Sequence, residues 1–162
     1  MNIVEYEPKY ENDAKDLLVE LQTYLASLDK RGVLVLKDNY RDDYFDYVVG
    51  ECEKHYGKIF LAVENSRAVG MVVAKIFQGG GEDELTTSCP KVGFISDLVV
   101  ASGRRGQGTG RKLLGRAEEY FREKSCEYTQ LQVFAPNKKA FSLYEKYGFG
   151  VNCLYMSKKT TD

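Results

Sequence analysis

The sequence predicts an α+β fold: a single domain over residues 1–162, with a mixed central sheet of six to seven strands flanked by about four helices. Three observations predict it. Short runs rich in β-branched and aromatic residues alternate with longer segments of helical period. Two of the runs, 59–63 and 68–77, are separated only by a turn, the mark of a hairpin. No repeat, low-complexity tract or linker interrupts the chain, which is long enough to bury one core.

In chain order, residues 3–6 predict a short first strand. Leu17, Leu18, Leu21, Leu25 and Leu28 recur at helical spacing and predict an amphipathic helix over 12–28. Tyr44, Phe45, Tyr47, Val48 and Val49 predict a second helix over 41–54. Asn65-Ser66 supplies the turn between the hairpin strands. Residues 78–90, QGGGEDELTTSCP, read as loop, and 92–100 as a long apolar strand. A glycine-rich stretch follows, and then Leu113, Leu114, Ala117, Tyr120 and Phe121 mark one face of a helix. Residues 128–134 alternate and predict a strand. Ala135-Pro136-Asn137 turns into a helix that runs to about Tyr147 and stops at Gly148, and 149–156 predict a last strand.

Composition narrows the function. The formal net charge is −1, with 43% hydrophobic and 29% charged residues. That balance gives no global attraction to nucleic acid or to an anionic membrane, so neither is expected as a partner. The first ten residues, MNIVEYEPKY, lack the basic and apolar regions of a signal peptide. Cys52, Cys89, Cys126 and Cys153 form no CxxC, and His55 is the single histidine. No metal site is expected, and the four cysteines read as reduced thiols of a cytoplasmic protein.

The chemistry is concentrated at RRGQGTGRKLL, residues 104–114. From Gly103 to Ala117 there are five basic residues (Arg104, Arg105, Arg111, Lys112, Arg116) and no acidic one. Unpaired N–H groups and the dipole at a helix start attract anions, and glycine admits close approach. A phosphate or diphosphate fits such a loop. The Walker pattern fails because Thr109 and Gly110 stand where Lys and Ser/Thr are required, and the dinucleotide GxGxxG fails at Arg111. A glycine-rich connection with a solvated basic rim is the alternative that the loop alone leaves open.

The run Arg105-Gly106-Gln107-Gly108-Thr109-Gly110 matches R-x-x-G-x-G, follows a strand and opens a helix. It resembles the pyrophosphate loop of the GCN5-related N-acetyltransferases. A second stretch, NKKAFSLYEKYGF from Asn137, resembles that family's N-x-x-A-x-x-x-Y-x-x-x-G-F block. Asn137 suits the N-cap of its helix, and Tyr144, seven residues on, faces the same side about 10 Å away. A core aromatic is the other reading of Tyr144. Ser96 and Asp97 interrupt an apolar strand, which calls for partners, water, a bulge or a function.

The resemblance implies acetyl-CoA as co-substrate, with no metal. Leu98, Val99 and Val100 would pair with its pantetheine arm where their strand splays from a parallel neighbour at 128–134. Arg105, Gly106, Gln107, Gly108, Thr109, Gly110 and Arg111 would seat the diphosphate. Asn137, Lys139, Ala140 and Tyr144 complete the implied cofactor set. Direct attack by a primary amine in a ternary complex is the implied reaction. The Val99 N–H would meet the oxyanion, Tyr144 would protonate the departing thiolate, and Asp97 is the candidate base.

The expected acceptor is a small-molecule amine. Asp42, Asp43, Asp46, Glu82, Asp83 and Glu84, with Tyr40, Tyr44, Phe45 and Tyr47, could hold a cation, or could form a solvated helix face and loop. A protein lysine or N-terminal amine, a CoA-binding module without turnover, and homodimer formation stay open.

Overall fold

The computed structural model describes residues 1–79, 85, 87, 88 and 90–160. Its contacts divide the chain into two compact units, Met1–Gln132 and Val133–Asp162. The first unit contains β1 (Asn2–Glu5), α1 (Glu11–Leu28), α2 (Tyr40–Lys54), β2 (Lys58–Glu64), β3 (Arg67–Gln78), β4 (Lys91–Val100), α3 (Thr109–Glu123) and β5 (Tyr128–Leu131). The second contains α4 (Lys138–Tyr147).

Among the described residues the sheet has five strands in the order β1-β2-β3-β4-β5. The first three pairings are antiparallel and β4–β5 is parallel. Asn65 and Ser66 take positive φ of 48° and 61°, as the tight β2–β3 turn requires. Helices α1 and α2 cover one face, where Leu17, Leu18, Phe45 and Val48 meet Leu61, Met71, Val73 and Val99. Helix α3 covers the other face with Leu113, Leu114, Ala117 and Phe121, all buried. Gly93 makes that contact possible, because a Cβ there would lie 2.2 Å from Cγ of Phe121.

The four helices of the sequence reading are present, but the expected six to seven strands are five, and both differences lie late in the chain. Strand β5 ends at Leu131 rather than Phe134. The chain is already turning at Phe134, whose carbonyl accepts the Asn137 N–H at 2.7 Å. The strand expected over 149–156 does not form. Gly148 closes α4 in the left-handed region at φ 110°, and the Phe149 N–H bonds back to Tyr144 O at 3.0 Å. Val151, Leu154, Tyr155 and Met156 then run exposed. Apolar and aromatic content confers only a preference for strand, and among the described residues this segment has no strand pairing. Glu82, Asp83 and Glu84, expected to be an acidic loop, lie outside the described residues, as does Cys89.

Candidate active site

The glycine loop joins β4 to α3. Gly106 and Gly108 sit at φ 77° and 78°, conformations that glycine adopts without steric penalty. Gly108 is the N-cap of α3, and the first helical bond runs from the Lys112 N–H to Gly108 O at 3.1 Å. The N–H groups of the first turn therefore have no acceptor within the helix. A Cβ at Gly106 or Gly108 would meet nothing within 4 Å, so the space before the loop is open. Gln107, Arg111 and Lys112 are exposed, Gly110 is half-buried and Thr109 is buried. These residues fit a diphosphate in backbone geometry, charge and room.

Arg105 behaves differently. Its Nε donates to Val100 O at 2.8 Å and its Nη2 donates to Glu20 Oε1 at 2.7 Å. The same Glu20 oxygen accepts the Ser102 N–H at 2.8 Å.

Strand β4 pairs with β5 only from Val92 to Ile95. Beyond Ile95 no strand among the described residues takes its outer edge. The Ala101 N–H bonds Val69 O on β3 at 2.9 Å, so by alternation Val99 also turns its N–H and C=O inward, and the expected Val99 oxyanion donor faces β3 instead. Leu98 and Val100 turn theirs outward, where the Val100 carbonyl accepts Arg105 Nε. The inner edge stays paired, with Leu98 opposite Val72, Val99 opposite Met71 and Val100 opposite Gly70.

The register of β4 on β3 slips by one residue at Ser96: Ile95 faces Ala74, and Asp97 faces Val73. This bulge re-aims the strand. Gly93 lies on the α3 side, and an unbroken strand would put Asp97 there too. The extra residue turns Asp97 to the α2 side, where it is buried. There it accepts the Tyr44 hydroxyl at Oδ1 (3.0 Å) and the Ser96 hydroxyl at Oδ2 (2.7 Å). Burial raises its pKa above the usual carboxylate range, opposed by these two bonds and by the charge of Lys75. Burial and the Asp97 charge likewise raise the Tyr44 phenol.

Tyr44 also lines a hollow of about 580 Å³ with Tyr40, Tyr47, Val35, Asp38 and Asp43. Tyr40 and Tyr44 stack at 4.8 Å and Tyr44 and Tyr47 at 6.0 Å between ring centroids. The hollow rests on the α1–α2 connection, which is organised by the Asp29 carboxylate. Asp29 accepts the N–H groups of Arg31, Val33 and Leu34 at 3.1, 2.9 and 2.9 Å. Those bonds lower its pKa to about 2.

In the second unit, Asn137 caps α4 as expected, its Oδ1 accepting the Ala140 N–H at 3.2 Å. Tyr144 is partly buried, with its ring 5.9 Å from that of Phe149, and Lys139 is exposed.

A profile of the acetyltransferase (GNAT) family matches residues 19–149. The chain belongs to that family. An N-alpha-acetyltransferase MAK3 of Arabidopsis thaliana is 34% identical over 90 residues, covering 56% of this chain and 43% of the plant protein. An uncharacterized N-acetyltransferase YhfO of Bacillus subtilis is 28% identical over 104 residues, covering 64% of this chain and 65% of the bacterial one. The match thus spans less than two thirds of either relative. Among solved structures, a tetramutant protein from Bacillus halodurans superposes with a TM-score of 0.84 at 19% identity, covering 98% of this chain and 99% of that one. At that identity the likeness is one of fold.

Against this GNAT background, three features of the site escape the sequence reading. Glu20 lies 85 residues from Arg105, with no local signal linking them. Lys75, buried and 3.7 Å from Glu51, was visible as one lysine in the apolar run MVVAKIF. Gly93 looked like an ordinary strand glycine. No group of metal-binding side chains occurs among the described residues, and none of their helices is long and apolar enough to cross a membrane.

Proposed function

We propose that this protein acetylates a primary amine of a small molecule by direct attack on acetyl-CoA in a ternary complex, and that residues 1–162 act as one catalytic domain. The observation that carries the reading is the pairing of two open backbone features. The glycine-capped start of α3 offers N–H groups to a diphosphate, and the β4 edge beside it offers the Leu98 backbone and the Val100 N–H to an extended arm. Bound acetyl-CoA would supply an acyl group activated as a thioester.

Asp97 is the base in this reading. It is buried against solvent yet connected to the hollow through the Tyr44 hydroxyl, so a proton leaving the amine can pass to Tyr44 as Tyr44 passes its own to Asp97 Oδ1. The raised pKa of Asp97 brings it nearer the operating pH of a base. Asp38, Asp43 and the tyrosine faces suit an ammonium group on an apolar stem. The size of the hollow lies within the range of small-ligand sites, which favours a free amine over a folded protein surface. Tyr144 is proposed as the acid for the thiolate, on the strength of the N-x-x-A-x-x-x-Y block.

Free-thiol release from acetyl-CoA across an amine panel tests the reading, with Tyr144→Phe as the decisive variant. Phenylalanine keeps the ring, so kcat should fall by about 10²–10³ while CoA affinity and melting temperature barely move. Wild-type kcat in a folded variant would end the assignment of Tyr144. No thiol release from any amine, with no melting shift in saturating acetyl-CoA, would end the function.

A further inference from the structure

We propose that Glu20 is a positioning residue for CoA, holding the glycine loop in its receiving shape by engaging Arg105. The inference rests on the reading of that loop as the diphosphate seat. One oxygen of Glu20 binds both the Ser102 N–H and the Arg105 guanidinium, at 2.8 and 2.7 Å. Tyr24, one turn along α1, lies under the same guanidinium, with its ring centroid 5.2 Å away. The third tie is Arg105 Nε to Val100 O at 2.8 Å. Val100, Ser102 and Arg105 are thereby fixed immediately before Gly106 and Gly108, where the backbone is otherwise freest. The neighbouring Arg104 is held in the same manner, by Glu64 at 2.8 Å. Arg105 thus works on the shape of the loop from behind. Lys112, exposed at the start of α3, and the α3 N–H groups are the phosphate contacts in this reading.

Charge alone predicts the opposite role. A carboxylate beside the seat of a polyanion repels it, so removing Glu20 should tighten CoA. The clasp predicts that removal loosens CoA, and the sign decides between them.

The test is the CoA dissociation constant, by calorimetry, for the full chain and for Glu20→Ala, Glu20→Gln, Arg105→Ala and the double alanine variant. Glu20→Ala should weaken CoA about tenfold, the scale of a lost charge-assisted hydrogen bond. Glu20→Gln keeps an acceptor oxygen for Ser102 and Arg105 and should return to within about threefold of wild type. The double variant should be no weaker than the weaker single one, because both substitutions release the same clasp. Melting temperatures without CoA should move little, as both side chains are partly exposed. Tighter or unchanged binding in Glu20→Ala overturns the proposal, as do additive losses, which would make Arg105 an independent phosphate ligand. A melting temperature that collapses together with affinity makes Glu20 a folding contact and overturns it too. Wild-type protein that fails to bind CoA overturns the reading of the loop itself, and this inference with it.

Discussion

Asp97 combines two opposing demands on one carboxyl group. Burial raises its pKa above that of an exposed aspartate, so the folded chain holds this proton more tightly than the unfolded chain does. Its effect on stability therefore turns unfavourable as pH rises from about 4 through the folded value. Asp97→Asn removes the charge and keeps an acceptor oxygen for Tyr44. Relative to wild type, its unfolding free energy should improve progressively as pH rises above about 4, read from urea titrations at each pH. The same variant loses the base, and kcat should drop by about 10²–10⁴. A stability difference that stays flat with pH would show that Asp97 carries no burial penalty.

At the scale of elements, two contacts set the site. Gly93 lets α3 lie close on β4, and Gly93→Ala must displace the Phe121 ring from 2.2 Å. Overpacking of this kind costs about 1–3 kcal/mol or more, which a lowered urea midpoint would register. Asp29 organises the α1–α2 connection through three backbone bonds. Asp29→Ala should loosen the wall of the hollow, raising the acceptor KM while leaving CoA affinity unchanged. Because the Asp29 pKa is lowered to about 2, its contribution is complete above the unfolded value of 3.8 and is lost as pH falls through about 2. An acceptor KM equal to wild type would detach this connection from acceptor binding.

The elements that sequence period revealed are those whose partners lie on both sides. Leucines repeating along 12–28, and the apolar run 68–77 after the Asn65-Ser66 turn, gave α1 and β3 nearly to the residue. The segment 149–156, also expected as a strand, formed none, because composition records preference and a strand needs a pairing partner. Ser96-Asp97 was visible as an interruption, yet only the register showed that the bulge turns Asp97 toward Tyr44. The Glu20–Arg105 clasp depends on α1 lying beside the end of β4, which no short window of sequence contains.

For the whole molecule, the buried hydrophobic residues run from Ala14 to Phe121, all within Met1–Gln132, and α4 buries none. A chain ended after Gln132 should therefore unfold cooperatively in urea and keep its melting transition, while losing turnover with Tyr144. Non-cooperative unfolding would show that Val133–Asp162 is needed for the core. Of the five cations between Gly103 and Ala117, Arg104, Arg105 and Arg116 are ion-paired with Glu64, Glu20 and Glu123, which reduces the local positive field that the sequence suggests. CoA binding should weaken with salt as short-range screening dictates.

The tyrosine stack over Asp97 has an optical consequence. The chain has 12 tyrosines and no tryptophan, so its ultraviolet emission is tyrosine emission. A phenol donating its proton to a carboxylate is a quenched emitter, and Tyr44 is held in that state within a stack that shares its excitation. An amine that seats in the hollow and draws Tyr44 from Asp97 should brighten the protein, without any dye and before any acetyl group is transferred. Tyr44→Phe should abolish that response. The fold would then carry its own indicator of acceptor arrival, placed at the atom where the amine's proton is expected to leave.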